Sequence, residues 1–447
     1  MATEPPSFRD HFVSLFQSAA DELMRKTAGV VGLASRPGLE NALVAAVAQV
    51  ASLKAGGTAA LPDDAPDGID EEAWKSAKLA FQLMEARAQG ETQTAQSIVD
   101  ELKCGSFDPG WATTITSFAQ YFGSDGGRAT IPYIPAAQVG KVILPLQNDA
   151  TIALLADWGT GTDIAVNLLK EIALLQPDIV IHLGDIYYSG TPEECDVNFK
   201  RIVDTVLERN TRQVAVYTLA GNHDMYSGGA GYYNLLATLN AGPAKQPASF
   251  FCLRNDHWQL LAMDTGLHDY IPVLGNDMLT FLEPDEEDWI AERLEEFPGK
   301  TILLSHHQLF SAFSQIGDRG ADGALTAYNP NLLKSFQRFT QVARQPIAAW
   351  FWGHEHTLSV YEPYLDLNCG RCIGHAAVPV IPSDTFFQPI AGIADPPRSI
   401  SLQLPVDTQD HVYAHGFTVI SLAGDGSAVV GYYLDTAGTT PIHTETL

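Results

Sequence analysis

The stretch DIVIHLGDIYYSG, from Asp178 to Gly190, decides how the chain is read. Ile179-Val180-Ile181 is β-branched and too short for a helix, so with His182 and Leu183 it reads as a buried strand over Asp178 to Leu183. The strand stops at Gly184 and hands Asp185, Ile186, Tyr187 and Tyr188 to its C-terminal end. Upstream, Thr151 to Ala156 is a second short apolar strand and Thr162 to Gln176 a helix, which together make a βαβ unit. Ligand clefts in open α/β sheets form at such strand ends.

Working outward, strands fit Val214 to Ala220, Phe250 to Arg254, His257 to Asp264, Thr301 to Ser305 and Ile347 to Trp352, with a turn at Asn255-Asp256 and a helix over Pro284 to Glu296. Gly416 to Leu422 and Ala428 to Leu434 flank Asp425-Gly426, a hairpin signal. Residues 144–447 are therefore expected to form an α/β domain with mixed sheets. Residues 1–122 have a different texture. Phe8, Phe12, Leu15, Phe16, Ala19 and Leu23 form one helical stripe, and Leu39 to Leu53 reads as a second helix. After the turn-rich Leu61 to Gly68, Trp74, Ala77, Phe81, Met84 and Ala88 mark a third helix, with Asp70 as its N-cap. Ala95, Ile98, Val99 and Leu102 mark a fourth beyond Gly90. Residues 123–143, rich in Gly and Pro, read as a linker.

The chain has 447 residues, with 26 Lys+Arg against 53 Asp+Glu and a formal charge of −27. Such a field disfavours nucleic acid polymers and anionic membranes as partners. A phosphorylated substrate would need local positive charge, which metal ions provide. The beginning Met1-Ala2-Thr3-Glu4 carries no basic or apolar leader, and the apolar run Ala42 to Leu53 is too short to span a bilayer, so a cytoplasmic protein with no membrane span is expected. Five scattered cysteines do not make a disulfide framework. Cys369 and Cys372 read as a local disulfide or as two free thiols.

Five polar clusters sit at predicted strand ends: Asp157-Trp158-Gly159, Gly184-Asp185-Ile186-Tyr187-Tyr188, Gly221-Asn222-His223-Asp224, Ser305-His306-His307 and Gly353-His354-Glu355-His356. Each follows an apolar run, so burial of the strand aims the polar tip into a shared cleft. Oxygen and imidazole donors without thiolates suit Fe, Zn or Mn.

In this order the clusters resemble the calcineurin-like metallophosphoesterases, over roughly residues 150–435. That resemblance implies a mixed β-sandwich flanked by helices, an αββα arrangement, with the helical N-terminal region outside it. Where the general pattern has Asp-x-His, this chain has Gly159. With Tyr188 three residues beyond Asp185, it looks like the purple acid phosphatases, which open with Asp-x-Gly and place a tyrosinate on ferric iron. The resemblance implies that Asp157, Tyr188 and His356 hold a first metal, Fe(III), and that Asn222, His306 and His354 hold a second, Zn(II), Fe(II) or Mn(II). Asp185 would bridge them. Two such ions activate water, orient the phosphoryl group and stabilise charge on the attacking and leaving oxygens.

His223 would act on the phosphate, with Asp224 orienting its ring. His307 would assist the leaving group, or else only pack. Tyr187 and Tyr188 also have a plain reading as core residues, and His182 is expected to be a core histidine. Arg319, in the loop Ser314 to Asn329, would touch phosphate or lie in a solvated loop. The expected activity is hydrolysis of small phosphate monoesters. The alternatives are phosphodiester hydrolysis on nucleotide or lipid head-group substrates, and a partner-binding helical protein with a degenerate phosphoesterase scaffold.

Overall fold

The computed structural model of the chain describes residues 45, 46, 49, 53, 61–69, 71–89, 91–103, 117, 118, 120–122, 130–209, 211, 214–271, 279–313, 316, 326–380, 393, 395–400, 402, 404–406 and 412–447. The expected helix over Phe8 to Leu23, most of that over Leu39 to Leu53, and Arg319 lie outside them. The chain divides into two compact units, Met1–Thr116 and Ser117–Leu447. In the first, the helices Glu71–Gln89 and Thr92–Leu102 follow one another. Trp74 and Ala77, one helical turn apart, are buried with Ala46 and Ala73, as a stripe of that spacing requires. The Trp74 indole N–H donates to the Pro62 carbonyl at 3.2 Å.

The second unit is built on two sheets. One has the order β14-β13-β12-β2-β3-β4, from β2 (Thr151–Leu155), β3 (Ile179–His182), β4 (Ala215–Thr218), β12 (Gly416–Leu422), β13 (Ala428–Leu434) and β14 (His443–Thr446). The other has the order β1-β5-β6-β7-β8-β10-β9-β11. Its strands are β1 (Leu144–Pro145), β5 (Phe251–Arg254), β6 (Trp258–Ala262), β7 (Lys300–Leu304), β8 (Ile347–Trp352), β9 (Leu358–Tyr361), β10 (Gly370–Ile373) and β11 (Ser399–Ile400). β2, β3 and β4 are parallel, as are β6, β7 and β8, while the β12–β13 hairpin runs antiparallel against β2. Both sheets are therefore mixed or joined to mixed edges, as the alternation of helical and strand patterns predicts.

Residue alternation along each strand explains the layers. Ile152 and Leu154 face the other sheet and pack with Leu260, Ile302 and Phe351. Ala153 and Leu155 face outward and pack under Leu168, Leu169, Ile172 and Val203. On the far side, Leu261, Leu303 and Trp350 are covered by Trp289, Ile290, Leu294 and Phe336. These last come from the helices Pro284–Glu296 and Pro330–Val342. The result is the expected α/β/β/α stack, and burial on both faces is why the strands read as continuous apolar runs.

Ile131 to Lys141, expected within a linker, lies in the second unit. There the Ala136 N–H donates to Asp285 Oδ2 at 2.7 Å and the Trp289 indole to the Gly140 carbonyl at 2.6 Å. Cys195, Cys252, Cys369 and Cys372 are free thiols, so the CxxC pair is two thiols. Among the described residues, no helix is long and apolar enough to cross a membrane.

A buried ion pair joins the two sheets. Arg371 of β10, 4% exposed, donates to Glu445 of β14 at 2.7 and 2.5 Å, and the Tyr432 hydroxyl donates to the same carboxylate at 2.5 Å. Removing the carboxylate strands a buried guanidinium, which costs more than the pair itself contributes. Glu445→Ala is expected to lower the unfolding free energy by about 3–5 kcal/mol in urea titrations; a loss under about 1 kcal/mol would show that the pair does not hold the sheets.

Candidate metal centre

The turns after β2, β3, β4, β7 and β8 bring the five clusters together. Asp157, Asp185 and His354 all adopt left-handed φ values, 56°, 75° and 67°. This backbone state is sparsely populated for residues with side chains and is kept where function over-determines it. It lets each side chain turn back over its own strand end. Gly184, at φ 106°, passes under the His306 ring; a Cβ there would meet His306 Nδ1 at 2.6 Å.

Gly159 explains the missing histidine. It forms a parallel bridge with Ile186, donating to the Asp185 carbonyl at 3.2 Å and accepting from the Tyr187 N–H at 3.0 Å. A Cβ at this position would lie 2.6 Å from the Asp185 carbonyl oxygen and 2.7 Å from Ile186 Cα. No side chain fits. Tyr187 brings a donor to the same group: its fully buried hydroxyl lies 3.3 Å from Asp157 Oδ1, 3.1 Å from Asp185 Oδ2 and 3.1 Å from His356 Nε2. Tyr188, the expected ligand, is the next residue along the chain. Tyr188 contributes its backbone here: its N–H donates to Glu194 Oε1 at 2.6 Å and its carbonyl lies 2.7 Å from His223 Nδ1.

On the other side of Asp185, three acceptor atoms face one another. His306 Nδ1 lies 2.9 Å from the Leu183 carbonyl, which can only accept, so Nδ1 carries the proton. Burial, with His307 and His354 adding to it, drives the His306 pKa well below its ordinary value, so the ring is neutral and Nε2 is a bare lone pair. That lone pair lies 3.0 Å from Asn222 Oδ1 and 3.3 Å from His354 Nδ1, and the last two are 3.2 Å apart. At most one proton, on His354 Nδ1, is available to the three. Asn222 directs Nδ2 to the Tyr226 hydroxyl at 2.5 Å, which leaves Oδ1 facing the two imidazoles.

The carboxylates show the same imbalance. Burial and then the Asp185 charge push the Asp157 pKa well up, against hydrogen bonds from the His354 N–H and the Tyr187 hydroxyl. His356 is lowered to about 4 by burial. The imidazoles are thus neutral with lone pairs to give, and the carboxylates lack a countercharge, which is the donor chemistry a cation fits. Donor atoms of Asp157, Asp185 and His306 lie within 4.8 Å of one another, as do those of His306, His307 and His354.

The residues expected to act on substrate are placed as follows. His223 Nδ1, facing the Tyr188 carbonyl, is the donor, which turns Nε2 towards Asp185 Oδ2 at 4.0 Å. The ring sits between Tyr187 and Tyr226, at centroid distances of 4.6 and 4.7 Å. Asp224 is the residue expected to orient that ring. Its carboxylate is buried and accepts from the backbone N–H groups of Asp185 at 2.9 Å, Gly221 at 2.8 Å and Ile186 at 3.3 Å, so it ties two motif turns together. Burial, and next Asp185, push its pKa well up. His307 lies against Thr265 and Asp269. His182 is a core histidine, 3.0 Å from the Thr218 hydroxyl and edge-on to Trp158.

Tyr226, Thr265 and Asp269 were not expected from the sequence. A signal existed for the latter two. Asp264-Thr265-Gly266 follows the apolar run of β6, the same strand-then-polar-tip pattern as the five clusters. Gly266 packs so close to the turn after β4 that a Cβ would meet the Ala220 and Gly221 carbonyls at 2.6 Å.

Residues 150–358 match the family model of the calcineurin-like phosphoesterases, which supports a metallophosphoesterase domain over that span. A domain of that family implies a metal-using hydrolase of phosphate esters. Similar solved structures include purple acid phosphatase PPD1 from yellow lupin (Lupinus luteus) seeds, at 16% identity and TM-score 0.43, covering 67% of this chain. The chain spans about half, 54%, of that phosphatase's length. GAP50, the anchor in the inner membrane complex of Plasmodium, matches at 14% identity and TM-score 0.45, covering 67% of this chain and 89% of its own. A predicted phosphoesterase from Streptococcus pneumoniae TIGR4 matches at 11% identity and TM-score 0.28, covering 68% and 99%. No curated protein matches in sequence.

Asp224→Ala would leave three backbone N–H groups without their acceptor, at about 1–3 kcal/mol each. The variant is expected to lose about 3 kcal/mol or more of stability by denaturant titration. A variant with unchanged stability and selectively lost turnover would instead return Asp224 to a catalytic role.

Proposed function

We propose that the protein hydrolyses small phosphate monoesters at a two-metal centre of the purple acid phosphatase type. The observation that supports this best is the surplus of lone pairs: Tyr187, Asp157, Asp185 and His356 on one side, Asn222, His306 and His354 on the other. In this reading, Asp157, Tyr187 and His356 hold the first ion, Asn222, His306 and His354 the second, and Asp185 lies between them. Phenolate and carboxylate suit a trivalent iron, while two imidazoles and an amide suit Zn(II), Fe(II) or Mn(II). A complete donor set argues against a degenerate scaffold.

When bound, the ions supply the Lewis acidity that activates water and offsets charge on the phosphoryl oxygens. The chain's own residues do the rest. The Leu183 carbonyl and the Tyr226 hydroxyl fix the donor atoms of His306 and Asn222 before substrate arrives. His223, with Nδ1–H held by the Tyr188 carbonyl, presents Nε2 beside Asp185, where it can carry a proton to the phosphate or its leaving group.

Two measurements test the reading. Tyrosinate on ferric iron gives a visible charge-transfer band, so iron-loaded protein is expected to be coloured. Tyr187→Phe should bleach it with the fold intact, and Tyr188→Phe should leave the band in place. A colourless wild type with a full complement of ferric iron, or bleaching by Tyr188→Phe alone, would contradict the assignment. His223→Ala is expected to lower kcat about 10²–10⁴-fold with metal content unchanged; loss of metal instead would make His223 a ligand or a structural residue.

A further inference from the structure

His306 and His307 are adjacent, yet their rings are held in opposite ways. His306 spends only Nδ1 on the protein and keeps Nε2 for the cleft. His307 spends both nitrogens. Its Nδ1 lies 3.1 Å from the Thr265 hydroxyl, which also accepts the His307 backbone N–H at 3.0 Å, and its Nε2 lies 3.0 Å from Asp269 Oδ2. One proton assignment that satisfies all three groups has Thr265 O–H donating to Nδ1 and Nε2–H donating to Asp269. His307 is then close enough to His306 and His354 to share an ion with them, but neither of its nitrogens is available to an ion or to a leaving group.

What the pinned ring does face is His354. The two rings lie 4.5 Å apart at 40°, and His306 stands edge-on to His307 at 4.8 Å. His306 has the Leu183 carbonyl to set its plane. Among the described residues no hydrogen bond holds Nε2 of His354, so its plane is set by packing. Asp269 is itself 1% exposed, and its Oδ1 has no hydrogen-bond partner among the described residues. A buried carboxylate with so little compensation is costly to keep.

We infer that Thr265 and Asp269 are positioning residues that lock the His307 ring as a wall, so that His354 presents Nδ1 to the second metal. His307 is thereby not the acid that protonates the leaving group. This rests on the two-metal reading, and the test reads metal affinity without turnover.

Full-length protein stripped of metal and reloaded with one equivalent of Fe(III) is titrated with Zn(II) against a chromophoric chelator. Asp269→Ala is expected to weaken Zn(II) binding about 10–100-fold while iron is retained. Asp269→Asn, which keeps an acceptor for Nε2–H, should recover most of the affinity. Thr265→Val should act in the same direction, and Thr265→Ser should restore it. In the loaded enzyme, Asp269→Ala should lower kcat by the same factor for nitrophenyl phosphate and for a simple alkyl phosphate.

Zn(II) affinity within about twofold of wild type in both Asp269→Ala and Thr265→Val would overturn the assignment, against the 10–100-fold loss typical of such outer contacts. So would a loss confined to the alkyl phosphate at unchanged Zn(II) affinity, which would make His307 the leaving-group acid. Should Asp269→Ala fail to fold, the Thr265→Val and Thr265→Ser pair decides by the same criterion. A wild type that takes up neither metal overturns the two-metal reading itself, and this inference with it.

Discussion

The second unit is organised around lone pairs that outnumber the protons available to share. His306 Nε2, Asn222 Oδ1 and His354 Nδ1 crowd one side of Asp185, and on the other the Tyr187 hydroxyl lies against two carboxylate oxygens and His356 Nε2. In an apolar interior such an arrangement is unfavourable unless a cation joins it. The fold supplies the rigidity that keeps the donors in place. Strands buried on both faces cannot slide, and each hands one polar tip to the same edge.

Close backbone approach is the device that makes the crowding possible. The turn after β2 touches the turn after β3 through Gly159 and Ile186, and the turn after β3 touches the turn after β4 through the Asp224 carboxylate. Gly353, behind Asp157, leaves no more room than Gly159 does: a Cβ would meet Asp157 Oδ2 at 2.6 Å. A glycine that excludes a histidine and a tyrosine that fills the gap are therefore one structural decision. The same logic extends outward to the turn after β6, where Gly266 allows Thr265 and Asp269 to reach His307.

The layered fold was legible because buried strands leave apolar runs and two-faced burial leaves no alternation to misread. Pro284 to Glu296 and the β12–β13 hairpin have the bounds that Pro at the helix start and Asp425-Gly426 at the turn predict. The donors at strand ends were legible for the same reason. Spacing points to Tyr188, while the hydroxyl beside Asp157, Asp185 and His356 is that of Tyr187, because one residue of backbone path separates the two tyrosines. At Asp224 the sequence shows only the neighbouring histidine, while the structure gives its carboxylate three backbone N–H donors from other turns and its own. Tyr226 left no pattern, because its role depends on which way the Asn222 amide is turned.

The central claim is that this surplus of donors binds two cations. Elemental analysis of the purified chain, after incubation with iron and zinc and removal of excess metal, tests it most directly. The account predicts two metal ions per chain, at least one of them iron, both lost when Asp185 is replaced by Ala. Fewer than one ion per chain, or a full complement retained by Asp185→Ala, would contradict it.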